Sequence, residues 1–146
     1  EMIFNLAGIF GKFHAAKNLI TAIQSAFATI KIPNEPLKVA YFIWKDPYMV
    51  ATSHTFIDEM IHLAGYENIF QDKNRYPELT LKELSNAKPD LIFLSSEPFP
   101  FKEKHKSVFQ AACPNARVML VDGEFFSWYG SRLRLAPAYF STLLPK

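Results

Sequence analysis

The stretch Lys38-Val39-Ala40-Tyr41-Phe42-Ile43 is apolar from its second residue onward, with no alternation of hydrophobic and polar positions. A strand with one wet face alternates. An unbroken run of this length marks a strand covered on both faces, as in the parallel sheets of α/β proteins. Two further runs read the same way, Asp90 to Leu94 and Arg117 to Val121. Helical patterns lie between them, at about 55–64, 80–87 and 102–112, and right-handed crossovers through such helices are the expected links. The predicted fold is α/β: a three-layer lobe with a mostly parallel central sheet flanked by helices.

The punctuation agrees with this layout. Thr55 followed by Asp58, and Thr80 followed by Glu83, have capping-box spacing, in which hydroxyl and carboxylate each satisfy an orphan amide of the first turn. Ala64-Gly65 supplies a helix end. A last helix is expected over Ser131 to Leu144, with Pro137 as an irregularity.

Ahead of the first strand, Ile3, Leu6, Phe10, Phe13, Ala16, Ile20, Ile23, Phe27 and Ile30 recur at steps of three and four, the helical period. A continuous helix over 3–29 would span roughly 40 Å. Gly8 and Gly11 are the points where it can break or bend, and Pro33-Asn34-Glu35-Pro36 stops it. The expected organisation is a helix over 1–32 leading into an α/β lobe over 33–146.

Composition narrows the function classes. Of 146 residues, 49% are hydrophobic and 21% charged, the balance of an ordinary globular domain. A net charge of +2, with lysines interleaved among acids as in Lys102-Glu103-Lys104, offers no basic field for nucleic acid. Cys113 is the sole cysteine, so neither an intramolecular disulfide nor a cysteine-based zinc site can form within the chain. The apolar first thirty residues are interrupted by Lys12, His14 and Lys17 and lack a leader pattern, which argues against a span or signal peptide there. Glu at position 1 reads as a processed protein or an excised piece.

In open parallel sheets ligands bind beyond the carboxyl ends of the strands, where successive loops converge. Those loops are Trp44-Lys45-Asp46-Pro47-Tyr48-Met49, Ser95-Ser96-Glu97-Pro98-Phe99-Pro100-Phe101, and Asp122-Gly123-Glu124-Phe125-Phe126-Ser127-Trp128-Tyr129-Gly130. Together they carry eight aromatic rings and four carboxylates, a set suited to a broad ligand with apolar faces and a polar rim. Aromatic residues also pack on their own domain, and Phe125 and Phe126 are the rings most suited to tuck under the sheet. Trp44, Tyr48, Trp128 and Tyr129 sit among glycine, proline and charged residues, which favours contact with a ligand. Phe99, Glu97 and Glu124 complete the candidate set.

Catalytic patterns are weak. There is no glycine-rich phosphate loop, nucleophile elbow or zinc-protease helix motif. His54 and His62 stand about 80° apart round a helix, poor geometry for a shared metal, and surface or capping roles fit the four histidines better. Glu97 and Glu124 could pair for acid–base work, but nothing supplies a nucleophile. The chain reads as a non-enzyme without a cofactor or metal of its own.

The runs Ile43 to Met49, Thr55 to Phe70, Leu94 to Phe101 and Asp122 to Arg132 resemble the C-terminal lobe of helical-backbone periplasmic binding proteins, particularly the branch that receives cobalamin and ferric siderophores. The resemblance implies a two-lobed receptor for an ABC importer, with residues 1–32 as the inter-lobe helix and the amino-terminal lobe absent. Implied ligands are cobalamin, haem or a ferric siderophore. Implied partners are the permease subunits, at the periplasmic or outer face of the cell membrane, with lipid anchoring as one mode. By the family pattern Tyr48 contacts ligand from the first loop, and Glu124 and Trp128 from the third, where some cobalamin receptors carry arginine. The family's docking glutamate falls on Lys82, leaving Glu78 and Glu83 as the nearby carboxylates for the permease, with Glu83 also placed to cap its helix. A sensor module on the same lobe and a metalloenzyme subunit of related fold are the other readings.

Overall fold

The computed structural model describes residues 2–143, and the chain divides into two compact units. One comprises Ile32–Ser127; the other joins the residues up to Lys31 with those from Trp128 onward.

The Ile32–Ser127 unit is built on the expected strands: β1 (Lys38–Trp44), β4 (Leu91–Ser95) and β5 (Arg117–Val121). They run parallel and adjacent in the order β1-β4-β5, with Val39 opposite Leu91 and Leu91 opposite Arg117. Two strands of two residues each flank β1: β2 (Met49–Val50) pairs antiparallel with its carboxyl half, and β3 (Glu67–Asn68) parallel with its start. Elements this short have no periodicity to read. Their pairing is set by the loops that bring them to the edge.

Burial on both faces explains the missing alternation in β1. On one face Ala40, Phe42, Ile92, Leu94 and Val118 share a core with Leu84 of α4 (Leu81–Ala87) and Phe109 of α5 (Glu103–Ala112). On the other, Tyr41 and Phe93 pack against Tyr66 and Phe126, with ring centroids 5.0 to 6.4 Å apart. Each such aromatic or aliphatic side chain contributes roughly 1.5–3 kcal/mol by leaving water. Helix α3 (Phe56–Leu63) buries Ile57, Met60 and Ile61, and α6 (Glu124–Ser127) buries Phe126.

The caps follow the sequence in differing degree. Thr80 and Glu83 form the full box, the Thr80 Oγ accepting from the Glu83 amide while the carboxylate accepts from the Thr80 amide at 2.8 Å. At α3 only half the box forms: Thr55 accepts from the Asp58 amide at 3.1 Å, but the Asp58 carboxylate accepts from the Asn68 side-chain amide at 2.7 Å.

In the other unit the long apolar stretch is two helices, α1 (Met2–Phe10) and α2 (Phe13–Phe27). Gly11 makes the break: it takes φ +62°, and the Lys12 amide reaches back to the Ala7 carbonyl at 3.0 Å, closing α1 with a left-handed glycine cap. Phe27 meets Phe140 of α7 (Ala136–Leu143) edge-on at 6.5 Å. A 3₁₀ turn over Ser131–Leu135 precedes α7, so Pro137 stands in the first turn, where a missing amide leaves no gap. Leu144, the expected end of this helix, lies outside the described residues. Among the described residues no helix is long and apolar enough to cross a membrane.

Candidate functional site

The carboxyl ends of β1, β4 and β5 open onto three loops that are tied to one another by hydrogen bonds from their backbone amides. The Phe99 amide donates to the Ile43 carbonyl at 3.2 Å, the Ser96 amide to Val121 at 3.0 Å, and the Gly123 amide to the Ser96 hydroxyl at 3.0 Å. These bonds make a wall of loops that would otherwise be independent.

In the first loop Trp44 is 39% exposed, and its ring stands edge-on to Phe99 at 5.9 Å. Lys45 pairs with Asp46, and this hydrogen bond raises the ammonium above its ordinary value. Tyr48 meets different surroundings: half-buried, it packs edge-on against Phe42 at 6.0 Å and Phe109 at 5.1 Å, at the margin of the core.

The second loop presents Phe99 and Glu97, both half-buried, while Phe101 turns into the core. The Glu97 carboxylate accepts from the Ser127 hydroxyl of the third loop. Behind it the Ser95 hydroxyl donates to the Glu97 carbonyl at 2.6 Å and accepts from the Glu97 amide and the Tyr41 phenol. Peptide bonds Asp46-Pro47 and Glu97-Pro98 are both cis.

In the third loop Glu124 is half-buried in the first turn of α6, its amide held by the Asp122 carboxylate at 3.1 Å. Phe126 is fully buried and Phe125 half-buried, so the first of these tucks under the sheet. A recess of about 440 Å³ between the ends of β4 and β5 is floored by Leu94, Phe101, Leu120 and Val121, with Ser96 and Asp122 also lining it.

The structure thus brings Trp44, Phe99, Glu97 and Glu124 to the loops of one sheet edge. Trp128 and Tyr129 fall in the other unit, 49% and 59% exposed, with the Arg132 guanidinium 5.9 Å from the Trp128 ring centre. Ser95, Gly123 and Ser127 organise the wall yet carry little signal of their own, because small residues are common in any loop. His105 is another such residue. Its Nδ1 accepts from the Lys102 amide at 2.9 Å, its ring packs on Phe99 and Phe101, and burial with Lys104, Lys45 and Lys102 nearby lowers its pKa.

Away from the loop wall, Glu83 is engaged by Thr80, whose backbone and hydroxyl lower its pKa, with Lys73 3.9 Å away. Glu78 is exposed, on a segment laid along β2 by the bonds Val50 amide to Pro77 carbonyl and Leu79 amide to Tyr48 carbonyl. Among the described residues no three His, Cys, Asp or Glu side chains are placed to hold a metal ion.

Comparison with known proteins adds a family. The model of a periplasmic binding protein family matches residues 1–112. Nothing among curated proteins matches. Among solved structures, the periplasmic haem-binding protein RhuT from Roseiflexus sp. RS-1 superposes with a TM-score of 0.77 at 19% identity, covering 97% of this chain and 62% of that one. The periplasmic haem-binding protein BhuT, in complex with two haems, gives 0.72 at 26% identity, covering 97% and 58%. The periplasmic vitamin B12 binding protein BtuF of Vibrio cholerae gives 0.62 at 19%, covering 88% and 50%. The chain spans between half and about three fifths of the length of these structures.

Proposed function

Because the chain belongs to the periplasmic binding protein family, a family of solute-binding proteins rather than enzymes, we propose that its solute is a large metal chelate: cobalamin, haem or a ferric siderophore. The protein works in the periplasm or at the outer face of the cell membrane, lipid-anchored in one mode, and delivers its ligand to the permease of an ABC importer. Glu78 is the carboxylate offered to the permease. Glu83 is the alternative, already engaged as a cap.

The observation that carries the reading is the edge-on pair of Trp44 and Phe99 at the carboxyl edge of a parallel sheet, with the Glu97 carboxylate, on the same loop as Phe99, held by Ser127. Two rings held at an angle offer apolar faces to a flat ligand, and a fixed carboxylate offers an acceptor to its rim. Tyr48 and Glu124 extend this wall; Trp128 and Tyr129 are proposed as ligand contacts from the sequence of their loop alone. The structures of similar fold that bind haem or vitamin B12 support the size and shape of the solute.

The test is a titration of the intact protein with haemin, cyanocobalamin and a ferric siderophore, followed by tryptophan fluorescence and by the absorption of the chelate. Saturable quenching by one of the three, with a Kd of about 1 μM or tighter, is expected. Absence of saturable change with all three overturns the proposal.

A further inference from the structure

Glu97 is held in the sheet edge from two sides. Its backbone is pinned from behind by a hydroxyl used to capacity. Ser95 Oγ, 1% exposed, gives its proton to the Glu97 carbonyl at 2.6 Å and accepts from the Glu97 amide at 3.3 Å and the Tyr41 phenol at 3.2 Å. One donor and two acceptor sites are all a hydroxyl has. From the front, Gly123 closes on the same residue. A Cβ built there would stand 2.3 Å from Ser95 Oγ and 2.7 Å from Glu97 Cγ, closer than real Cβ contacts come. The Gly123 carbonyl also shares the Ser127 hydroxyl with the Glu97 carboxylate. An alanine at position 123 must therefore displace the Glu97 side chain or the buried hydroxyl behind it.

We propose that Ser95 and Gly123 are positioning residues for Glu97, holding its carboxylate as a fixed acceptor for a hydrogen-bond donor on the ligand. The inference rests on the ligand-wall reading of the preceding section. Neither residue touches the ligand in this scheme; both act through Glu97, with Tyr41 as support.

A double-mutant cycle tests it, because residues that act through a third lose their effect when the third is removed. The probe is whichever of haemin, cyanocobalamin and the ferric siderophore the intact parent protein binds most tightly. Ser95→Ala and Gly123→Ala are each expected to weaken its binding about fivefold to tenfold, a loss the size of one ordinary hydrogen bond. In a Glu97→Ala background the same substitutions are expected to change affinity less than about twofold. Tyr41→Phe, which deletes a single hydroxyl, guards against misfolding of the other variants and should show a smaller loss that also vanishes without Glu97. Losses that persist undiminished in the Glu97→Ala background make the two residues merely structural and overturn the inference alone. A parent protein that binds none of the three chelates removes the ligand-wall reading, and this inference falls with it.

Discussion

Trp44 and Tyr48 belong to one loop, yet they meet opposite surroundings. The Trp44 indole is touched by Phe99 and otherwise substantially open, whereas the Tyr48 ring packs against the touching pair Phe42 and Phe109. Substitution should separate them. Trp44→Ala is expected to weaken ligand binding by about 1–3 kcal/mol, through a lost stacking face and its buried area, with little change in Tm. Tyr48→Ala is expected to destabilise the fold by about 2–3 kcal/mol as well as weakening binding, because it opens a gap beside two core rings. Thermal melts beside titrations of the bound chelate decide this. If Trp44→Ala lowers Tm as far as Tyr48→Ala does while leaving affinity intact, the exposed ring is a packing residue and the ligand wall loses its main support.

Helix ends show how local chemistry sets an element and its response to pH. In the first turn of α5, the Nδ1 of His105 must be unprotonated to accept from the Lys102 amide, so the neutral ring is the one the folded chain selects. Burial and the charges of Lys104, Lys45 and Lys102 act in the same direction. The unfolded chain therefore takes up this proton at a higher pH than the folded one does. Stability falls as pH drops from about 6.5, the ordinary imidazole value, to the lower folded value. Glu83 has the same sign in a more acid window. Its pKa is lowered by the bonds from Thr80, so its contribution is present above the ordinary carboxylate value and lost as pH falls through the folded one. Urea midpoints measured from pH 7 to 5 should fall less steeply in His105→Gln than in the parent. Parallel slopes in the two proteins would refute the role given to this histidine.

Over the whole molecule, the solute-binding role places demands on the surface as well as on the wall. Glu78 is exposed while its backbone neighbours are bonded to β2, so its carboxylate is presented from a fixed segment; Glu83 spends its carboxylate on Thr80. Charge complementarity at such a surface governs encounter and register with a cationic partner. Glu78→Ala should therefore reduce uptake of the ligand by cells severalfold while leaving its affinity for the purified protein unchanged. Uptake that survives Glu78→Ala but fails in a folded Glu83→Ala protein reverses the assignment. If neither variant affects uptake, salt-bridge docking at these carboxylates is ruled out.

The parallel core was legible from residues alone because its signals are local. Runs such as Val39 to Ile43 and Leu91 to Leu94 are apolar at every position only when both faces are covered, and Thr80 with Glu83 announces a helix start within four residues. The three loops at the sheet edge were legible for a related reason: the carboxyl ends of parallel strands follow directly from strand order and direction. Other features depend on partners distant in the chain. Gly8 and Gly11 were equal candidates for the break, and backbone φ with the Lys12-to-Ala7 bond selected Gly11. Asp58 had the spacing for a capping box, but Asn68, ten residues on, took its carboxylate. Tyr48 and Trp44 look alike in sequence, and only the approach of Phe109 and Phe99 assigns one to the margin of the core and the other to the open edge. The setting of Glu97 required Tyr41, Ser95, Gly123 and Ser127 to meet from separate strands and loops. Periodicity and capping are properties of neighbours along the chain, whereas side-chain environment is a property of neighbours in space, and that difference divides what could be read from what had to be seen.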